Sequence, residues 1–176
     1  MIVESEELGL KDIELKLISE LVKNSRRSDR DLAKAVGVSQ PTVSRIRVRL
    51  EKEGLIEYSA VPNLAKLGFE ILAVILCKRD YVKHPEYAIQ EAKDWAKKNP
   101  NMIFASIGNG LGYDRIAISI HKNYAEYSKF MQESKVCWGD FMSFDSFLIS
   151  LKSKDVVQPL SLRHFADYLK KEEEPK

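Results

Sequence analysis

The chain has 176 residues, room for one domain or two small ones, and enough material to bury a core without disulfide staples. Its 44% hydrophobic and 31% charged residues exclude a wholly disordered chain, and a formal net charge of +2 advertises no global affinity for nucleic acid. Two cysteines, Cys77 and Cys137, lie far apart with no CxxC spacing and no third ligand nearby. Met1 to Glu7 is acidic where a secretory signal is basic, and no run approaches the ~18 apolar residues of a membrane span. The composition therefore points to a reducing cytoplasmic setting, with no metal, no cofactor and no membrane partner.

Two rhythms meet near Pro62. From Lys11 to Glu53 the apolar residues recur at helical spacing, and from Phe69 onward short apolar runs alternate with amphipathic stretches. Ile13, Leu17 and Leu21 predict a first helix with basic residues after its last turn. Ser28 stands as an N-cap with Asp31 in the following turn, a short helix carries Leu32, Ala33 and Val36, and Gly37 ends it. Ser39 is a second N-cap, Pro41 fits the first turn, and Val43, Ile46 and Leu50 form one buried stripe up to Gly54.

Small Ala33, turning Gly37, and Val43 with Ile46 in that order make the helix-turn-helix pattern. The stripe leaves Gln40, Thr42, Ser44, Arg45 and Arg49 facing outward, side chains able to read base edges or grip phosphates. Arg45 and Arg49 are assigned to bases or phosphates, and Arg26 with Arg27 to the flanking backbone. Ser39 and Arg47 complete the candidate DNA contacts. From Lys23 to Lys52, nine basic residues stand against three acidic ones, a local charge of +6 that leaves −4 for the rest of the chain. The near-neutral total is a cancellation between a basic end and an acidic remainder.

Beyond Gly54, the alternation over Leu55 to Val61 predicts a short wing strand, and Leu64, Ala65 and Leu67 a connecting turn. Phe69 to Cys77 reads as a central strand and Pro85 to Lys98 as a helix. Met102 to Ile107 is a second strand, Gly108 to Gly112 a turn, and Arg115 to His121 a third strand. Tyr124, Tyr127, Phe130 and Met131 mark another helix, Phe144 to Leu151 a fourth strand, and Ser161 to Lys171 a helix in the tail. Trp95, Tyr124, Tyr127 and Phe130 read as core. The fold class is α+β: a winged helix-turn-helix at 1–62, a ferredoxin-like β-α-β-β-α-β domain at 63–155, and a partly helical tail at 156–176. Two helices cover one sheet face, so the other needs a partner. A homodimer or higher even oligomer is expected, reading half-sites about 34 Å, or a multiple, apart on double-stranded DNA.

Over roughly Leu10 to Lys154 the chain resembles the Lrp/AsnC family of feast/famine transcription regulators. The resembling residues are Leu10, Ile13, Lys16 and Leu17, Asn24 to Ser28, Leu32-Ala33, Val36 to Ser39, and Leu50 to Ile56. Val61-Pro62-Asn63, Leu67-Gly68 and Gly112-Tyr113-Asp114 extend the match. The resemblance implies a sequence-specific DNA-binding regulator modulated by an amino acid or similar effector, bound near the turn between the second and third strands. It places Gly112 and Asp114 at that turn, with Gly110 beside them. Closely spaced glycines admit an α-carboxylate to backbone N–H groups, and a carboxylate pairs with an α-ammonium; the other reading is a hairpin in which Asp114 accepts local hydrogen bonds.

Two departures from the family pattern stand out: Ile46 precedes Arg47 where an arginine usually precedes an aliphatic residue, and the glycine-rich turn is longer. One alternative function is a tetrapyrrole (siroheme-type) decarboxylase-like enzyme of the same two-domain form. It would gather basic side chains around propionates, whereas His84, His121 and His164 lie in separate segments, lack metal-ligand spacing and read as surface or strand-end residues. The other is a ligand-sensing protein that no longer binds DNA.

Overall fold

The computed structural model of the chain describes residues 10–83, 89–154 and 156–171. It divides into two compact units: Met1–Val61 with Gln158–Lys176, and Pro62–Val157.

The first unit holds α1 (Asp12–Lys23), α2 (Asp29–Val36), α3 (Gln40–Lys52) and, from the far end of the chain, a 3-10 turn (Leu162–His164) leading into α6 (Phe165–Lys171). The helix ends follow local chemistry. Ser28 and Ser39 accept the backbone N–H groups of Asp31 and Thr42, each satisfying an orphan donor of its helix. Gly37 closes α2 at φ +81°, a left-handed conformation that a side chain would strain. Leu17, Leu32, Val43 and Leu50 are completely buried where the three helices meet, joined by Leu21, Ala33 and Ile46. Each buried leucine, isoleucine or valine contributes about 1.5 to 3 kcal/mol.

Two expectations change here. No strand forms over Leu55–Val61; the stretch has alternation, but a lone extended segment gains no ladder, and no strand is described elsewhere in this unit. Ile56 packs against the helical core instead, and Tyr58 lies under Arg47. The described part of the tail, expected as a segment of its own, packs on α1. Ala166 is fully buried, the Ser19 hydroxyl donates to its carbonyl at 2.8 Å, and Lys23 pairs with Asp167 at 3.0 Å.

The second unit runs β1 (Ile71–Arg79), α4 (Ile89–Lys98), β2 (Met102–Gly110), β3 (Tyr113–His121), α5 (Tyr124–Trp138) and β4 (Met142–Ser150), the β-α-β-β-α-β order anticipated. The start of the expected helix at Pro85 lies outside the described residues. The four strands form one antiparallel sheet in the order β2-β3-β1-β4. Ala73, Ile75 and Cys77 of β1 point to α5, where Phe130 and Met131 close the core. Burial pushes the Cys77 thiol up to about 11. Strand residues alternate, so the opposite face carries the cross-strand row Phe104, Ile118, Val74 and Phe147. Phe104 is 50% and Phe147 69% exposed. Tyr124, expected in the core, is also exposed, because it opens α5 one turn outside the packed segment.

His121 ends β3 but is buried, with Nε2 at 2.8 Å from the Ser119 hydroxyl and its ring against Tyr127 and Phe130. Burial lowers its pKa from the usual value, partly offset by Glu126. His164 lies exposed in the 3-10 turn, and His84 falls outside the described residues.

Candidate nucleic-acid interface

The turn between α2 and α3 sets the second helix across the first, and an acidic residue at the start of α2 locks it there. Asp29 accepts from the Ser44 hydroxyl through Oδ2 and from Arg47 Nη1 at 2.5 Å through Oδ1. Ser44 first, then Arg47, holds its carboxyl below the usual range against the opposing effect of burial. Arg47 Nε also donates to the Tyr58 hydroxyl at 3.0 Å, and its guanidinium lies 5.3 Å from that ring's centre. Ser44 and Arg47, both candidate DNA contacts, therefore spend their polar ends inside the protein.

The same holds at the other flank of α3. Arg49 pairs with Glu14, a buried carboxylate on α1 that also accepts the Lys11 amide at 2.9 Å. Arg27 pairs with Glu20 and donates to the Asp31 carbonyl at 3.1 Å. Ser39 and Thr42 share a hydroxyl contact at 2.8 Å as part of the helix cap.

What remains facing outward is narrower than the sequence pattern suggested. With Val43, Ile46 and Leu50 buried, the opposite side of α3 carries Pro41, Arg45, Val48 and Lys52 at helical spacing. Arg45 is exposed and has no ion-pair or hydrogen-bond partner among the described residues; Gln40 is exposed beside it at the first turn. Arg26 is likewise exposed, with its backbone N–H bonded to Asn24 Oδ1. Val48 is 64% exposed, an apolar side chain in the middle of a basic stripe that periodicity arguments pass over because they look for apolar residues inside. Arg30 and Lys34 add exposed positive charge on α2.

In the second unit the candidate effector residues sit on a tight hairpin. Gly110 pairs with Tyr113, and Leu111 (φ 53°) with Gly112 (φ 80°) makes the turn between them. Two successive positive φ values match the right-handed strand twist, so the strands run further and the turn is shorter than the glycine spacing implied. Asp114 accepts from the Arg79 amide at 3.1 Å, the Tyr81 hydroxyl at 2.6 Å and Arg115 Nη1 at 2.7 Å. Burial alone would raise its pKa; Tyr81, Arg115 and the Arg79 amide outweigh that and keep it low. The carboxylate ties the hairpin base to the end of β1.

Residues 10–57 match the family described as winged helix-turn-helix DNA-binding. HTH-type transcriptional regulator FL11 of Pyrococcus furiosus is 31% identical over 123 residues, covering 69% of this chain and 78% of that protein. Among solved structures, LrpC of B. subtilis shares the fold with a TM-score of 0.68 at 22% identity, over 85% of this chain and 99% of its own. Transcriptional regulator NMB0573 of Neisseria meningitidis, solved as its L-Met complex, gives 0.68 at 18% identity over 89% and 99%. A capped helix-turn-helix joined to a ferredoxin-like sheet defines a two-unit DNA-binding regulator. The chain belongs to the Lrp/AsnC family of transcriptional regulators.

Proposed function

We propose that α3 enters the major groove and that Arg45 is its main base-reading side chain. The observation that carries this is a division of labour: Arg27, Arg47 and Arg49 are each committed to a carboxylate of the protein, while Arg45 projects outward with no such partner among the described residues. Lys52 and the exposed Arg26 and Arg30 supply phosphate contacts, and Gln40, Thr42 and Ser39 line the helix entrance. A second copy covers the open sheet face, since a row of exposed phenylalanines flanking Val74 and Ile118 has the apolar character of a subunit contact.

An amino-acid effector fits at the β2–β3 hairpin, where Gly110 and Gly112 leave the backbone approachable. The L-Met complex of the meningococcal relative supports that class of ligand. Asp114 acts there by holding the hairpin's shape. We read the chain as a regulator and not an enzyme, in keeping with the names its curated relatives carry.

The test is selection of bound duplexes from random DNA, followed by titration of Arg45→Ala. Its affinity for the selected site falls by about 1 to 3 kcal/mol with relaxed specificity. Uniform weakening on all sequences, or native binding insensitive to salt, would overturn the assignment.

A further inference from the structure

The ferredoxin-like unit contains a cavity of about 250 Å³ between α4 and the sheet, bounded by α5 on its third side. Ile89, Ala92, Trp95 and Ala96 turn toward it, yet no residue of α4 is buried. Protein interiors tolerate few voids larger than one water molecule. An engineered apolar cavity of about 150 Å³ already accepts benzene, so this space takes a ring with a short chain attached, or an alkyl chain of similar bulk.

The floor and sides are apolar, formed by Ile75, Met102 and Phe130, with Trp95 and Trp138 meeting edge to face at 6.2 Å. Its charged lining is one-signed: Lys93 and Arg115 contribute cations, and no acidic side chain is among the described lining residues. Arg115 is already engaged by Asp114. Lys93 is exposed and has no partner among the described residues. An apolar body with one cation at the rim selects an apolar body with one anion.

We infer that this cavity is a binding site for an apolar monocarboxylate, anchored by Lys93 and enclosed by Trp95 and Trp138. Its lining includes β2 as far as Ile107 and β3 from Arg115 but not the Gly110 to Gly112 turn, and it is independent of DNA binding, so its failure and that of the regulator reading are distinguishable.

The chain's two tryptophans both line the cavity, which makes intrinsic fluorescence a direct reporter. The full chain is titrated with 3-phenylpropanoate and with octanoate, which separate an aromatic from an aliphatic ligand, and with the matching alcohols. At least one acid gives a saturable spectral change, with the alcohol binding about tenfold more weakly. Lys93→Met abolishes the preference for acid over alcohol, and Ala96→Phe abolishes binding by filling the space, with the far-UV spectrum checking its fold. Lys93→Met lies at the exposed rim and keeps the test valid if Ala96→Phe misfolds. No saturable change with either acid, equal binding of the alcohol, or undiminished binding by a folded Ala96→Phe would each overturn the proposal.

Discussion

Asp29 and Arg47 face each other across the helix-turn-helix, Oδ1 to Nη1 at 2.5 Å, so that the first residue of α2 holds the middle of α3. Arg47→Ala is expected to destabilise the first unit by about 1.5 to 3 kcal/mol, the range for hydrogen bonds to charged groups. Hydrogen exchange of the α2 and α3 amides measures it, and a double-mutant cycle with Asp29→Asn isolates the pair. Asp29 has a folded pKa below its unfolded value of about 3.9. Its contribution is thus fully present above about pH 4 and disappears as pH falls through the folded value. Arg47→Ala narrows that acid sensitivity; an unchanged acid transition would mean that Ser44 alone accounts for it.

Val48 lies one turn beyond Arg45 on the outward side of α3, and an exposed aliphatic side chain there suits the 5-methyl group of thymine. Replacing single thymines of the selected site by deoxyuridine locates the contact. One such replacement weakens binding by about 0.8 kcal/mol, the worth of one buried carbon, and Val48→Ala makes the protein indifferent to it. Equal sensitivity in both proteins counts against the contact.

Much of this architecture is legible in the sequence because it is written in local chemistry. Ser28, Ser39 and Gly37 occupy the cap positions that their hydrogen-bonding and backbone preferences require, and Val43, Ile46 and Leu50 sort α3 into an inside and an outside. Helical spacing does not say whether a flanking arginine meets an acid on another helix. One signal was present: Glu14 stands three and seven residues before Leu17 and Leu21, on the buried stripe of α1, where a carboxylate needs a cation. The bond from Ser19 to Ala166 spans 147 positions, and no local pattern announces it. The space under α4 is equally silent, since amphipathic spacing shows which side turns inward but not how closely it packs.

His121 gives the ferredoxin-like unit a pH dependence of its own. Its folded pKa is depressed by burial, so its stabilising contribution is full above the ordinary histidine value of about 6.5 and is lost as pH falls through the folded value. Both tryptophans belong to this unit, so urea unfolding followed by tryptophan fluorescence reports it selectively. The midpoint drops between pH 7.5 and 5, and His121→Gln flattens the drop. A parallel decline in the variant would assign the effect elsewhere.

Leu111 holds a left-handed backbone at the tip of the β2–β3 hairpin with its side chain exposed. Asn tolerates that conformation through local hydrogen bonding, whereas a γ-branched residue gains nothing in return. Leu111→Asn should raise the unit's stability by about 1 kcal/mol, read from the same fluorescence transition. A loss of stability would show that the leucine makes a contact worth more than the strain.

The packing of α6 on α1 has a consequence for the order in which the molecule is made. Ser19 leaves the ribosome long before Ala166 does, and the whole ferredoxin-like unit is synthesised in between. The first unit thus begins to form before the sheet and is completed after it, when α6 closes over α1. A nascent chain completes the packing of α1 only after the whole four-stranded sheet has been made.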